Sequence, residues 1–258
     1  MHIRDFGTGA PIVFVHGFPF HGAMWDEQLA ALPSGWRGIA PDLRGFGRNA
    51  RANDVLLSMD RHADDLVGLL EGLGVERAVF CGSSMGGYIL FSLWRRYSAR
   101  VRGLVLCDTR AGADTEKARK GRRDLAKKVK AEGSAALTEV MLPQLLSEQS
   151  RQARPELVER VRGMIEGTPA TTTAAALLGL AARENSTPVV DTIDVPTLVV
   201  VGEHDEITPP AESTRIHKHV KGSRLVIIPG AGHLANMEKP AEFNAALNEF
   251  LIGLTAEY

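Results

Sequence analysis

Only two cysteines, Cys81 and Cys107, occur in 258 residues, and both fall inside apolar, strand-like runs. A disulfide framework or a thiolate metal site has nothing to be built from, and two buried thiols acting as small hydrophobes are expected. No apolar stretch approaches the roughly 20 residues that span a bilayer. The start, "MHIRDFGTGA", lacks the basic residues and apolar run of a signal peptide, so a cytoplasmic protein is expected. Charge is scarce in net terms: 30 Lys and Arg against 31 Asp and Glu leave −1, which gives no global field for nucleic acid. Phosphate-loop and dinucleotide fingerprints are missing, because "GTGAP" precedes a strand and the other glycine clusters lack the spacing. His217 and His219 are two apart rather than one helical turn apart, so no metal site is expected there. Neither a metal nor an organic cofactor is implied.

What the chain does contain is alternation. The runs "PIVFVHG" (11–17), "RAVFCG" (77–82), "VRGLVLCD" (101–108), "PTLVVVGEHD" (196–205) and "SRLVIIPG" (223–230) are short, rich in β-branched residues and end at turn residues. They read as buried parallel strands. "GWRGIAPDLRG" (35–45) is a weaker sixth, and "MHIRDFG" a short edge strand. Segments of helical period separate them, as in "RHADDLVGLLEGLG" and "KPAEFNAALNEFLIGL", where Pro240 suits a first helical turn. Strands alternating with helices predict an α/β protein: a mostly parallel sheet covered on both faces.

The alternation fails between residues 110 and 187, where only helix-like stretches occur, punctuated by Gly133, Pro143, Pro155 and Gly167. The expected organisation is a core of residues 1–109 and 188–258 with a helical cap, 110–187, over the sheet. Its first part, "EKARKGRRDLAKKVKAEG", is dense in Lys and Arg, but Ala118, Leu125 and Val129 share a face, as in a solvated amphipathic helix.

Adjacent serines lie in "CGSSMGGY". A serine hydroxyl attacks only where a base takes its proton and donors receive the charge formed on the substrate. Reading G-x-S-x-G onto Gly82 to Gly86 makes Ser84 the central serine; Ser83 would need glycines where Cys81 and Met85 stand. A strand precedes Ser84 and a helix follows, so the hydroxyl and the Met85 amide sit at a sharp turn and a helix N-terminus, which favour an oxyanion. The turn after "VFVHG" can aim the Phe18 amide at the same point. Downstream, Asp205 lies just past one strand and His233 in a Gly-rich loop after the next, giving the order Ser, Asp, His.

With "HGFPFHGAMWDEQ", "PDLRGFGR", "CGSSMGGY", "LVLCDTRAGADT", "VPTLVVVGEHDEITP" and "GAGHLANMEKPAEFNAALNEFL", nearly the whole chain resembles the α/β-hydrolase-fold serine hydrolases, closest to small carboxylesterases and 3-oxoadipate enol-lactonases. The resemblance implies that the cap follows the sixth strand of the family pattern, that Ser84 is the nucleophile, His233 the base, Asp205 its orienting acid, and Phe18 and Met85 the oxyanion amides. It implies hydrolysis of carboxylic esters of small to medium acyl chain through an acyl-enzyme; lactone cleavage is the alternative, and a hydrolase-fold receptor without turnover the alternative of another class. Two departures stand out. Ser83 replaces the larger residue, often His, that many relatives carry before the nucleophile. Only about ten residues precede "PIVFVHG", so the family's first strand is expected to be missing.

Rivals remain on sequence alone. Glu203 and Glu206 flank Asp205, and Asp108 ends the preceding strand, where it is expected to cap the backbone entering the cap. His16 is expected to support the oxyanion turn rather than move protons. Trp25, Met141 and Leu145 are candidates for the substrate pocket, with Leu137, Leu177 and Leu178 as further apolar cap residues. The expected partner is a small-molecule ester or lactone.

Overall fold

The computed structural model describes residues 1–50 and 54–255. Among them seven strands form one sheet: β1 (Ile3–Gly7), β2 (Ala10–Val15), β3 (Trp36–Pro41), β4 (Ala78–Ser83), β5 (Val101–Cys107), β6 (Thr197–Gly202) and β7 (Arg224–Ile228). Their spatial order is β1-β3-β2-β4-β5-β6-β7, with β1 antiparallel to β3 and every other neighbouring pair parallel. β1 is thus the edge strand read from "MHIRDFG". β4 and β6 are buried at every position, as strands covered on both faces require. β7 departs from the expected burial: it forms the other edge, and Ile227 is left 45% exposed. An apolar run alone does not reveal which strand has a neighbour on one side only.

The helices follow in chain order as α1 (Asp26–Ala30), α2 (Met59–Gly72), α3 (Met85–Tyr97), α4 (Glu116–Glu132), α5 (Ala135–Leu145), α6 (Glu148–Ala153), α7 (Pro155–Glu166), α8 (Ala170–Ala181), α9 (Thr187–Val190), α10 (Pro210–His219), α11 (Ala235–Glu238) and α12 (Pro240–Thr255). Among the described residues none is long and apolar enough to cross a membrane. Helices α4 to α9 all fall between β5 and β6. α4 begins at an N-cap, Thr115, whose hydroxyl accepts from the Ala118 amide, and buries Ala126 and Val129 while its lysines face water. This helical segment is tied to loops at the C-terminal ends of the strands: Thr168 Oγ1 donates to the Pro19 carbonyl (2.8 Å) and Arg160 to the Ala23 carbonyl (2.7 Å). Cys81 and Cys107 are free, buried and 3.7 Å apart on neighbouring strands.

Two histidines sit in the interior with no exposed surface. Burial holds the His16 imidazole down to about 3 and that of His62, on α2 beside the Phe46 ring, down to about 4. Neither nitrogen of His62 has a hydrogen-bond partner. Both groups titrate near 6.5 in an unfolded chain, so below that pH the unfolded state binds protons that the fold refuses. Their contribution to stability is whole above about pH 6.5 and is lost as pH falls toward 4 for His62 and toward 3 for His16, at about 1.4 kcal/mol per pH unit for each fully titrating group. Urea unfolding from pH 7 to pH 4 is expected to show a falling midpoint, and His62→Leu to reduce the pH slope of stability by about one proton. An unchanged slope in His62→Leu would show that His62 is not the group titrating.

Candidate active site

Ser84 occupies the junction of β4 and α3 with φ 52° and ψ −111°, a left-handed conformation that costs a non-glycine residue on the order of 1–3 kcal/mol. The glycines beside it make the turn possible. A Cβ on Gly86 would lie 2.3 Å from the Val15 carbonyl oxygen, and one on Gly82 would lie 2.6 Å from the Gly86 carbonyl carbon. The chain therefore doubles back at closer range than any side chain permits. From Ala78 to Trp94 every residue is buried except Ser84, whereas Ser83 has no exposed surface and its hydroxyl no partner. The elbow is braced from β5: the Ser84 amide donates to the Cys107 carbonyl (2.9 Å) and Thr109 Oγ1 donates to the Ser84 carbonyl (2.9 Å).

Ser84 Oγ lies 2.9 Å from His233 Nε2. On the other side of the ring, Nδ1 is 2.9 Å from both carboxylate oxygens of Asp205. An ionised carboxylate only accepts, so Nδ1 carries the proton and Nε2 is left to accept from the serine hydroxyl. Asp205 is held by its own turn: Oδ1 accepts the amides of Ile207 and Thr208 (2.9 Å each) and Oδ2 accepts the Thr208 hydroxyl (2.7 Å). Burial pushes the Asp205 carboxyl up, but His233 and the Thr208 donors outweigh it and keep it below the ordinary carboxylate value.

Opposite the elbow, the turn His16-Gly17-Phe18 leaves β2. A Cβ on Gly17 would sit 3.2 Å from the Ser83 carbonyl oxygen and 3.4 Å from Ser84 Cβ, so the turn that carries Phe18 lies against the elbow from which α3 starts at Met85. His16 fixes it. The Leu43 amide donates to Nε2 (3.0 Å), which leaves the proton on Nδ1 to be donated to the Gly17 carbonyl (2.9 Å). Neutral and doubly engaged, the ring holds the turn, as its sequence position suggests. Asp42 ties in the same loop by accepting the amides of Gly22 and Arg48 (2.9 Å each).

Three sequence expectations are corrected. Asp108 does not cap the backbone entering the helical segment: its Oδ1 accepts the amide of Gly202 at the end of β6 (2.9 Å), and its Oδ2 has no partner. Burial, then the nearby Asp205, pushes its carboxyl well above the ordinary value, so it is no second carboxylate for His233. Trp25 and Leu145 have no exposed surface; the Trp25 ring packs at a tilt against those of Phe14 and Phe243, and both side chains are consumed by core packing rather than offered to a ligand. Met141 is half-buried and packs on the same core. Glu238, absent from the sequence reading, is a buried carboxylate that accepts the Gly232 amide next to His233 (2.7 Å). Its only signal was a charged residue inside the motif that carries the histidine.

A strand–elbow–helix with these flanking loops is matched from residue 10 to 240 by the family model described as the alpha/beta hydrolase fold. The chain belongs to that family. Its fold is superimposable on a thermophilic esterase from Thermogutta terrifontis, solved with malate bound, at a TM-score of 0.95 and 41% identity, covering 98% of this chain and 93% of that one. The enol-lactonase from Burkholderia xenovorans matches at a TM-score of 0.90 and 28% identity, over 97% and 96% of the two chains. The AB hydrolase superfamily protein YisY of Bacillus subtilis is 30% identical over 97% of this chain and 94% of its own. The chain is thus an α/β-fold hydrolase related to esterases and enol-lactonases.

The elbow makes a paired test. Gly86→Ala forces a methyl onto the Val15 carbonyl and is expected to cost about 1–3 kcal/mol of stability and at least about 100-fold in turnover, because the serine moves. Gly68→Ala, on α2 with nothing within 4 Å, is expected to raise stability by about 0.5–1 kcal/mol and leave turnover alone. Thermal melts and ester hydrolysis on both variants check this; full activity in Gly86→Ala would remove the close-approach argument.

Proposed function

We propose that the chain is a serine hydrolase of carboxylic esters with small to medium acyl chains, working through a Ser84–His233–Asp205 triad. The observation that carries this is the unbroken hydrogen-bonded line from a half-exposed serine on a strained turn, through one imidazole, to an ionised carboxylate, each step 2.9 Å. In the first step His233 Nε2 takes the Ser84 proton as Oγ attacks the ester carbonyl. Negative charge gathers on the carbonyl oxygen, where the Phe18 and Met85 amides receive it. The tetrahedral species collapses, the alcohol leaves with the proton from Nε2, and Ser84 holds the acyl group. Water then attacks with the same base, releasing the acid and restoring Ser84. Asp205 keeps the imidazole in the tautomer that can accept, and stabilises it while it carries the proton.

Residues 110–187 act as the cap in this reading, since the helical segment is bonded to the loop that follows β2 and can enclose a substrate at Ser84. The same chemistry opens a lactone, and the likeness to enol-lactonases supports that as the second reading. A receptor without turnover has no use for the complete proton path.

Hydrolysis of p-nitrophenyl acetate, butyrate and octanoate by wild type and Ser84→Ala tests the proposal. Turnover is expected to fall by roughly 10⁴-fold or more in Ser84→Ala, with acetate or butyrate preferred to octanoate. Equal rates in the two proteins would refute the assignment of Ser84. An enol-lactone assayed with the same pair separates the two readings: turnover of the lactone well above that of every ester would replace the first by the second.

A further inference from the structure

Glu238 ends α11, five residues after His233, and is only 3% exposed. A carboxylate taken out of water needs strong donors, and this one finds them on two separate parts of the chain. Oε1 accepts the amide of Gly232, the residue immediately before His233, at 2.7 Å. Oε2 accepts the amide of Ser147, the N-cap of α6 in the helical segment between β5 and β6, at 2.9 Å. The three groups are in tight contact, since a Cβ on Gly232 would lie 2.6 Å from the Ser147 nitrogen and 3.0 Å from Glu238 Oε1. The far end of α6 is fastened to the same place: Arg154 donates to the carbonyls of Met237 (3.1 Å) and Glu238 (3.0 Å). Both ends of α6 therefore rest on the stretch that follows His233.

We propose that Glu238 is a positioning residue that makes the placement of His233 depend on the docking of α6. The inference rests on the reading of Ser84 and His233 as nucleophile and base. With α6 docked, both carboxylate oxygens are engaged and the Gly232 peptide is fixed, which sets Nε2 at its 2.9 Å approach to Ser84. When α6 separates, Oε2 loses its amide, the half-satisfied carboxylate turns toward water, and Gly232 is released with it. The proton path is then complete only while the helical segment is seated, which couples the chemistry to closure over a substrate.

Two variants cut the α6 side of the bridge by different means. Glu238→Gln keeps an acceptor for Gly232 but turns an amide N–H₂ toward the Ser147 amide, which it cannot accept. Ser147→Pro removes the Ser147 N–H; Ser147 already has φ −56° and ψ 151°, and Leu146 before it has φ −118° and ψ 143°, all values a proline and its predecessor adopt. Ser147→Ala is the control, since it keeps the amide and loses only the hydroxyl that accepts from Ser150. The readouts are kcat and KM on p-nitrophenyl butyrate and the rate at which diisopropyl fluorophosphate labels Ser84. Glu238→Gln and Ser147→Pro are expected to lower kcat and labelling roughly 10-fold or more with KM within about 2-fold, while Ser147→Ala stays near wild type. Wild-type rates in both bridge variants, or an equal loss in Ser147→Ala and Ser147→Pro, would overturn the coupling and leave the triad reading intact. Failure of the wild type to label at Ser84 would overturn the triad reading itself, and the coupling with it.

Discussion

The constraint on which the site depends is the closeness of α3 to the end of β2. Gly86 lies against the Val15 carbonyl with no room for a methyl group, and Gly82 lies against the first turn of the helix. With the helix seated so near the sheet, the single residue that turns the chain must take a left-handed conformation, and that residue is Ser84. Its side chain is thereby driven out of an otherwise buried stretch. The strain is sustained because both flanks are over-determined: β4 is hydrogen-bonded to β2 and β5, and α3 is buried for most of its length.

Around that elbow, charge is handled in a consistent way. Asp42, Asp205 and Glu238 are each buried, and each accepts two main-chain amides, all from loops at the C-terminal ends of the strands except that of Ser147 at the start of α6. Asp205 is kept below the ordinary carboxylate value by His233 and the Thr208 donors, and Asp42, which also meets His2 (3.0 Å) and Arg4 (3.3 Å), lies below it because the Arg48 and Gly22 amides help outweigh its burial. Asp108 is the contrast. It takes one amide and sits beside other acidic groups, so burial prevails and its carboxyl is pushed up. One imidazole completes the frame: His16 is kept neutral by burial, which lets it accept at one nitrogen and donate at the other.

Local pattern carried far in this chain because the core strands are short, β-branched and separated by helices of clear period. β2, β4, β5 and β6 lie where the apolar runs lie. β7 looks the same in sequence, yet its exposed residues follow from being last in the spatial order, a property of the sheet rather than of the strand. Trp25 and Leu145 fail as pocket residues for the same reason. Apolar character states that a side chain leaves water, not whether it meets a substrate or Phe243. Glu238 went unread because a lone glutamate on a short helix is ordinarily solvated; its partners lie 6 and 91 residues away.

By itself, the sequence determined the α/β class, the position of the elbow and the choice of Ser84 over Ser83, because turn chemistry and flanking glycines are local and act within a few residues. It also determined the order Ser, Asp, His, since each residue lies in the turn or loop that follows its own strand. The tertiary structure alone decided which carboxylate meets His233, which apolar residues are sealed in the core, and that Glu238 joins α6 to the histidine loop. Those outcomes depend on distances between segments far apart in the chain, and only the stacking of strands and the seating of helices on them sets such distances.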